Sequence, residues 1–316
     1  MKRNFTVCAI LAVAMILTPL VSMKQVGSGA QEEPVVFTET NGYISVMKTE
    51  NGNIEKLGER EYLLGALAAE MDMTYHDEAL KAQVIACYTY VLYTKENNSD
   101  NLGGADISDS PQVHQGYLDA EQRRKKWGEN FEKYEKKAGE IVDAVASQAI
   151  YYEDKPILSV YHNLNSGRTK SASEVWKKDY PYLVSTESAG DRLSTVYSTD
   201  AEFTYDEFKE KIEQIDGVKL DSKREDWIGK TVKDEDGYVR SVELCGYEVS
   251  SADFRTALEL KSCCFTVRAK EENIEITTVG DGHFVGMSQY GADYMARQGA
   301  DYREILTHYY KGTKIL

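Results

Sequence analysis

Apolar and polar positions divide the chain into an apolar N-terminal run, a polar linker and a long region of changing periodicity. The apolar run extends from Phe5 to Val21, broken only by two threonines and one proline, and Lys2 and Arg3 precede it. Positive charge ahead of an apolar segment is the layout of an export signal. The run is at the lower length limit for crossing a bilayer, so both a cleaved signal and an uncleaved anchor fit it.

The residues that follow favour an uncleaved anchor. Residues 22–24 (SMK) lack the small-x-small pattern of a cleavage site, so we expect residues 1–23 to form a signal anchor. Residues 24–40 carry Gly, Ser, Pro and charge without an apolar face, which predicts a linker. We therefore expect a single-pass protein of the cell membrane whose main region, residues 41–316, lies outside the cytoplasm.

The first half of this main region reads as a hairpin followed by helices. Alternating apolar and polar residues over 42–56, around an Asn-Gly-Asn turn, predict two short strands. Apolar residues at helical spacing predict helices over 60–71, over 74–95 and over 118–147, the last broken near Gly128. Residues 97–110 are rich in Asn, Asp, Gly and Ser, and we expect a polar loop there.

The second half mixes the two periods. Alternation predicts a hairpin over 149–162 and short strands around 236–237, around 245–246, at 263–268 and at 273–278; helical spacing predicts helices over 202–216, 291–298 and 301–310. Regular βαβ alternation is absent, which favours an α+β fold. We expect two lobes of mixed helices and short antiparallel strands around a substrate groove.

Charge and cysteine content narrow the classes of function. The formal net charge of −15 argues against a nucleic-acid partner, because phosphate binding depends on concentrated Lys and Arg. The basic run at 123–126 is flanked by glutamates, and we interpret it as a solvated helix face. Outside the N-terminal run lie Cys87, Cys245 and the adjacent pair Cys263-Cys264. They have no C-x-x-C spacing, so we expect buried thiols rather than disulfides.

Three stretches carry groups capable of chemistry, and the first is centred on Glu70. This carboxyl lies at the end of the apolar stripe of the 60–71 helix, where lost hydration should raise its pKa. A carboxylic acid that keeps its proton near neutral pH is what acid cleavage of a glycosidic bond requires. Lys81 and Gln83 on the next helix could hydrogen-bond a sugar or orient the acid, although a solvated pair is the plainer interpretation.

The second stretch, residues 161–169 (YHNLNSGRT), leads from a strand end into a polar loop. Its aromatic, imidazole, amide, hydroxyl and guanidinium groups suit carbohydrate recognition, and an ordinary turn with a hydrogen-bonded His162 is the alternative. The loop contains no cysteine, so we assign no metal and no cofactor.

The third stretch, residues 280–292 (GDGHFVGMSQYGA), places three glycines around His283. Glycines let backbone approach a ligand while His283, Ser288, Gln289 and Tyr290 present polar groups. A His/Ser nucleophilic pair and a binding loop that supports the acid both fit the residues. The stretch is not a G-x-S-x-G nucleophile elbow, which favours the binding loop.

In combination and in this order, these stretches resemble the stage II sporulation protein D family, whose relatives include amidase enhancers. The matching segments are YLLGALAAEM with EALKAQ, residues 147–176, PYLVSTES, VELCGYEVSSADFRTALELKS and residues 283–315. The resemblance implies a peptidoglycan lytic transglycosylase that acts outside the membrane during engulfment in sporulation, with Glu70 as the catalytic acid. It implies glycan strands as substrate, and a cell-wall amidase and other engulfment membrane proteins as partners.

We expect the substrate groove to contain the residues at matching motif positions or beside the acid: Lys81, Gln83, Tyr161, His162, Ser166, His283, Ser288 and Gln289. A single carboxyl suffices for the implied reaction, so we interpret Glu78 and Glu174 as structural. The chain departs from the family pattern at Tyr88, where an arginine is usual, and at Phe284, where a glycine is usual. A non-catalytic peptidoglycan-binding protein that enhances an amidase is therefore the second hypothesis.

Overall fold

A computed structural model describes residues 42–97, 102–111 and 113–316 of the chain. The predicted signal anchor and linker, residues 1–40, lie outside these residues. Over the described ranges, none of the helices is both long and apolar enough to cross a membrane. Helices and several small sheets are interspersed, which confirms the predicted α+β class.

The first elements follow the predicted order. Strands β1 (Tyr43–Met47) and β2 (Ile54–Gly58) form an antiparallel hairpin, and helix α1 (Glu59–Glu70) begins directly after β2. Helix α2 (Asp77–Asn97) packs against α1. Strand β3 (Ile107–Ser108) pairs in parallel with β1, inside the segment that was predicted to be a loop.

Two further helices pack against α1. They are α3 (Ala120–Trp127) and α4 (Phe131–Ala144), with a short 3-10 turn at Gly128–Asn130 between them. Gly128 ends α3 with a φ of 51°, a backbone conformation that glycine adopts without steric cost. The break predicted near Gly128 is thereby confirmed.

The rest of the chain leaves this helical region, forms a second region built mainly of strands, and then returns. The outgoing elements are β4 (Ile150–Tyr152), β5 (Lys155–Pro156), β6 (Tyr161–His162), α5 (Ala172–Trp176) and a 3-10 helix at Ala189–Leu193. The second region comprises β7 (Ser198–Thr204), α6 (Tyr205–Ile212), a 3-10 helix at Arg224–Asp226, β8 (Ile228–Lys233), β9 (Val239–Leu244), β10 (Tyr247–Ser250), α7 (Ser251–Ala257), β11 (Phe265–Ala269) and β12 (Asn273–Val279). The returning elements are β13 (Met287–Ser288), α8 (Gln289–Arg297), α9 (Tyr302–Tyr309) and β14 (Lys314–Ile315).

Within the described residues, two large hydrophobic cores and a small cluster of Tyr238, Cys263, Cys264 and Phe284 hold these elements. The main core joins α1, α2 and α4 with residues 150–183 and with the returning helices α8 and α9. The second core lies within residues 203–276, where β10-β9-β8 and β11-β12-β7 form two antiparallel sheets. Because the chain returns to the main core, its C-terminal loop is brought against the end of α1.

Several sequence-based expectations need correction. The expectation of short antiparallel strands holds for most strand pairs but not for β1 with β3 or β6 with β13, which pair in parallel. Each of these pairs joins segments far apart in the chain, so no turn signal announces it. The predicted helix over 202–216 begins only at Tyr205, because residues 202–204 complete β7 and the Thr204 side chain caps α6.

The basic run at 123–126 is not a uniformly solvated face. Arg123 is buried, and its guanidinium donates to Glu61 at 3.0 Å and to Glu135 at 2.8 Å, linking α3 to α1 and α4. Charge pattern alone did not show this burial, because both partners are distant in sequence. All four thiols of the described region are free, but Cys245 is only half-buried whereas the other three are buried.

Candidate active site

Glu70 ends α1 and lies in a cleft of about 450 Å³. This cleft is the candidate catalytic cleft, and the described residues that line it are Glu70, Tyr90, Pro111, Val113, His114, Gln115, Val160, Tyr161, Trp176 and His283. They come from α1, α2, the 111–115 segment, β6, α5 and the C-terminal loop. Elements that are dispersed along the chain thus meet at one carboxyl group.

The surroundings of Glu70 act on its pKa in two directions. Burial raises the pKa above the ordinary value for Glu, and this effect prevails. The backbone N–H of Gly116, a hydrogen bond with Tyr161 and the charge of Lys126 favour the ionised form and oppose the rise. The carboxyl can therefore hold a proton when ordinary glutamates have lost theirs, yet its carboxylate also has partners.

A buried hydrogen-bond network orients Tyr161 beside the acid. The Gln115 amide nitrogen donates to the Tyr62 hydroxyl at 2.7 Å and to the Cys87 carbonyl at 3.2 Å. The Gln115 amide oxygen is therefore left as an acceptor for the Tyr161 hydroxyl, at 3.1 Å, and the single proton of this hydroxyl is shared between Gln115 and the Glu70 carboxylate. These contacts define the orientation of the amide and with it the location of the phenol.

Gln289 and Gln83 support the acid from behind. The Gln289 amide nitrogen donates to the backbone carbonyl of Glu70 at 3.0 Å and to the Gln83 amide oxygen at 3.3 Å. Both side chains are buried, so neither reaches the cleft. The structure places them as positioning residues for the end of α1.

Of the two candidate histidines, His283 lines the cleft and His162 lies buried behind it. The Asn165 amide donates to His162 Nε2 at 3.2 Å, so the Nδ1–H donates to the Val285 carbonyl at 3.2 Å. Burial, followed by the neighbouring His283, lowers the pKa of His162 to about 3. Burial, followed by the charge of Arg255, lowers that of His283 to about 4, so both rings are neutral at physiological pH.

Three other predicted groove residues do not line this cleft. Lys81 pairs with Glu78 at 2.7 Å. Ser288 is fully buried, caps α8 and donates to Asp191 at 2.6 Å. Ser166 is buried beside Cys264. The Ser166 hydroxyl has no hydrogen-bond partner among the described residues. The polarity of these three residues in the sequence did not reveal which way they face.

The substitution at Tyr88 is remote from the acid. Tyr88 lies beside Glu59 at the start of α1, whereas Glu70 ends that helix, roughly 16 Å away at the helical rise of about 1.5 Å per residue. The substitution at Tyr88 therefore does not act directly on the acid.

Glu78 and Glu174, the two glutamates that we interpreted as structural, are held in ion pairs with Lys81 and Arg240.

Several residues in or beside the cleft were not predicted from the sequence. His114, Gln115 and Gly116 lie just beyond the segment predicted as a polar loop, and Trp176 matched only as part of a motif. Lys126 belongs to the basic run, yet its ammonium donates to the Ala68 carbonyl at 2.6 Å beside Glu70. Within the described ranges, no group of three or more His, Cys, Asp or Glu is arranged to hold a metal ion.

Comparison with known proteins decides the family. The family described as SpoIID, Stage II sporulation protein, matches residues 47–152, which include Glu70, Gln115 and Gly116. Stage II sporulation protein D of Bacillus subtilis is 35% identical over 277 residues, 86% of this chain and 78% of that protein. Its counterpart in Bacillus amyloliquefaciens is 33% identical over 274 residues, with the same coverage. This chain belongs to the stage II sporulation protein D family.

A more distant relative carries a different name. The amidase enhancer of Bacillus subtilis is 27% identical over 306 residues, covering 80% of this chain and 40% of that protein. Family membership confirms the resemblance read from the motifs and links the chain to sporulation.

Proposed function

We propose that this protein is a lytic transglycosylase that cleaves the bond between N-acetylmuramic acid and N-acetylglucosamine in peptidoglycan. The observation that carries the proposal is a carboxyl with a raised pKa that lines a cleft without a second carboxylic acid among its described lining residues. Glycosidases that hydrolyse use two carboxylic acids, one of which activates water or attacks the sugar. A single acid fits a reaction in which the substrate supplies its own nucleophile.

In the proposed reaction, Glu70 acts first as an acid and then as a base. Its proton passes to the bridging oxygen, and the bond from that oxygen to C1 of the muramic acid breaks. The Glu70 carboxylate then takes the proton of the muramic C6 hydroxyl, whose oxygen bonds to C1 as a 1,6-anhydro ring. Glu70 is again protonated, and no water enters the products.

The neighbours of Glu70 support both halves of this cycle. Burial favours the protonated acid, while the Gly116 N–H and the Lys126 charge stabilise the carboxylate between the two steps. Trp176 offers a large aromatic surface to a sugar, with the His283 ring at 5.1 Å between ring centres. We further propose that residues 1–23 tether the protein to the cell membrane, with the cleft outside the cytoplasm.

Digestion of purified glycan strands by the full-length protein tests the proposal. Mass spectrometry should find muramic ends that are one water lighter than reducing ends, and the Glu70→Gln variant should produce none. The matched control is Glu129→Gln, which should retain activity. Glu129 is an exposed glutamate in the 3-10 turn that follows α3. Reducing ends would show a hydrolase. Intact strands with measurable binding would favour the second candidate, an amidase-enhancing binding protein, which the similarity to the amidase enhancer suggests.

A further inference from the structure

A second cleft adjoins the catalytic cleft and shares two of its wall residues. This neighbouring cleft, of about 510 Å³, is bounded by α7 and the residues that follow it, and Trp176 and His283 line both clefts. Trp176 and His283 thus form a wall common to both clefts, so a chain-like substrate that extends beyond this wall reaches the neighbouring cleft. The proposed function does not use this space.

Arg255, in the last turn of α7, brings positive charge to the neighbouring cleft. Its Nε donates to the Leu260 carbonyl at 3.1 Å, which anchors the side chain. Over the part of the chain that the structure describes, its terminal amino groups have no acceptor. Its charge contributes to the lowered pKa of His283, which shows that the guanidinium acts on the shared wall.

The acidic groups of the same wall already have cationic or amide partners. Glu259 pairs with Lys211 at 2.9 Å, and the Asp281 carboxylate lies 3.8 Å from Lys261 and accepts from Asn163 at 3.2 Å. Arg255 and Lys261 are the two cations among the described lining residues, and of the two only Arg255 presents the paired donors of a guanidinium. A guanidinium binds a carboxylate through two parallel hydrogen bonds.

We propose that Arg255 forms a carboxylate-binding subsite that takes the lactyl carboxylate of a muramic acid residue in the same strand that occupies the catalytic cleft. This inference rests on the proposed function, since it is glycan chemistry that makes a carboxylate available. The sugar rings and acetamido groups of the strand are neutral. Its anionic groups are the lactyl carboxylate, where the stem peptide is absent, and the carboxylates of stem peptides.

Binding measurements without turnover test the subsite. In the full-length Glu70→Gln background, calorimetry would compare a GlcNAc-MurNAc tetrasaccharide, its peptide-bearing form and chitotetraose, which lacks lactyl groups. Arg255→Gln should weaken the muramic tetrasaccharide about tenfold and leave chitotetraose unchanged, which also shows that the cleft is intact. Arg255→Lys should fall between, because it keeps charge without the bidentate geometry. Arg268→Gln, an exposed arginine on β11, is the matched control.

Other outcomes overturn the inference. Arg255→Gln with unchanged affinity for the muramic tetrasaccharide, an equal loss for chitotetraose, or no binding of any ligand by the starting protein would each exclude the subsite. A loss confined to the peptide-bearing strand would assign Arg255 to stem-peptide carboxylates instead. Failure of the proposed function has a different signature, since Arg255-dependent binding without anhydro products from the native protein would leave the subsite standing.

Discussion

At the scale of single residues, some neighbours of Glu70 favour its protonated form and others favour its carboxylate. Burial raises its pKa, whereas Gly116, Tyr161 and Lys126 lower it, so the group is suited to give up a proton and recover it. Because the pKa of Glu70 is higher in the folded state than in the unfolded state, the protonated carboxyl stabilises the fold relative to the ionised one. This contribution to the free energy of unfolding is fully present below the unfolded-state pKa and is lost as the pH rises through the folded-state pKa. Burial would therefore serve the proposed catalysis at some expense of stability.

Removing the Lys126 charge tests this balance. Lys126 favours the Glu70 carboxylate, so Lys126→Met should raise the Glu70 pKa further and move the alkaline limb of the activity profile to higher pH. The rate of anhydro-end formation against pH is the measurement, and Lys125→Met, its exposed neighbour, is the control. A limb that stays in place or moves to lower pH would contradict the assignment of Glu70 as the acid.

At the scale of elements, the cleft depends on how closely the segment at 115–118 approaches α1. Gly65 permits this contact: the Leu118 N–H donates to its carbonyl at 3.1 Å, and a Cβ at position 65 would lie 2.6 Å from the Leu118 oxygen. The same segment presents the Gly116 N–H to Glu70. Helix α1 and its apolar stripe were predictable from periodicity, but this contact between distant segments was not.

Gly65→Ala should therefore destabilise the protein by about 2 kcal/mol through overpacking and reduce cleavage activity. Thermal unfolding and product formation are the measurements. Gly58→Ala is the matched control, because nothing lies within 4 Å of a Cβ there. Equal stability of the two variants would show that the close approach does not matter.

Arg123 offers a second test at this scale. Its buried guanidinium joins α3 to Glu61 of α1 and Glu135 of α4, so Arg123→Ala should cost about 2 kcal/mol. The loss comes chiefly from packing and hydrogen bonds, because water can solvate the two partly exposed carboxylates. Chemical denaturation compares it with Arg124→Ala, an exposed residue of the same helix, which should change stability by less than about 0.5 kcal/mol. Similar losses in both would restore the interpretation of 123–126 as a solvated face.

At the scale of the whole molecule, the order of motifs carried more information than any one residue. The α+β class, the break at Gly128 and the family followed from the sequence. The crossing of the chain to the second core and back did not, because the parallel pair β6–β13 joins residues more than 100 positions apart. That return brings His283 and Gln289 to the end of α1, and it buries Ser288, whose side-chain direction no local pattern indicates.

The proposed tether is also tested at this scale. Fractionation of cells should recover the full-length protein with membranes, and protease added outside the cytoplasmic membrane should digest it. Replacing two central apolar residues of the 5–21 run by arginine should release or destabilise it, since each charge opposes membrane insertion by about 2.5–3.5 kcal/mol. Recovery of the native protein in the soluble cytoplasmic fraction would contradict the tether.

Digestion in water enriched in a heavy oxygen isotope distinguishes ring closure by the substrate from hydrolysis. Because the muramic C6 oxygen closes the new ring, we expect anhydro ends that carry no isotope from the solvent and that disappear in Glu70→Gln. Glu129→Gln should produce the same unlabelled ends as the native protein. Labelled reducing ends, or anhydro ends that persist without the Glu70 carboxyl, would contradict the proposed reaction.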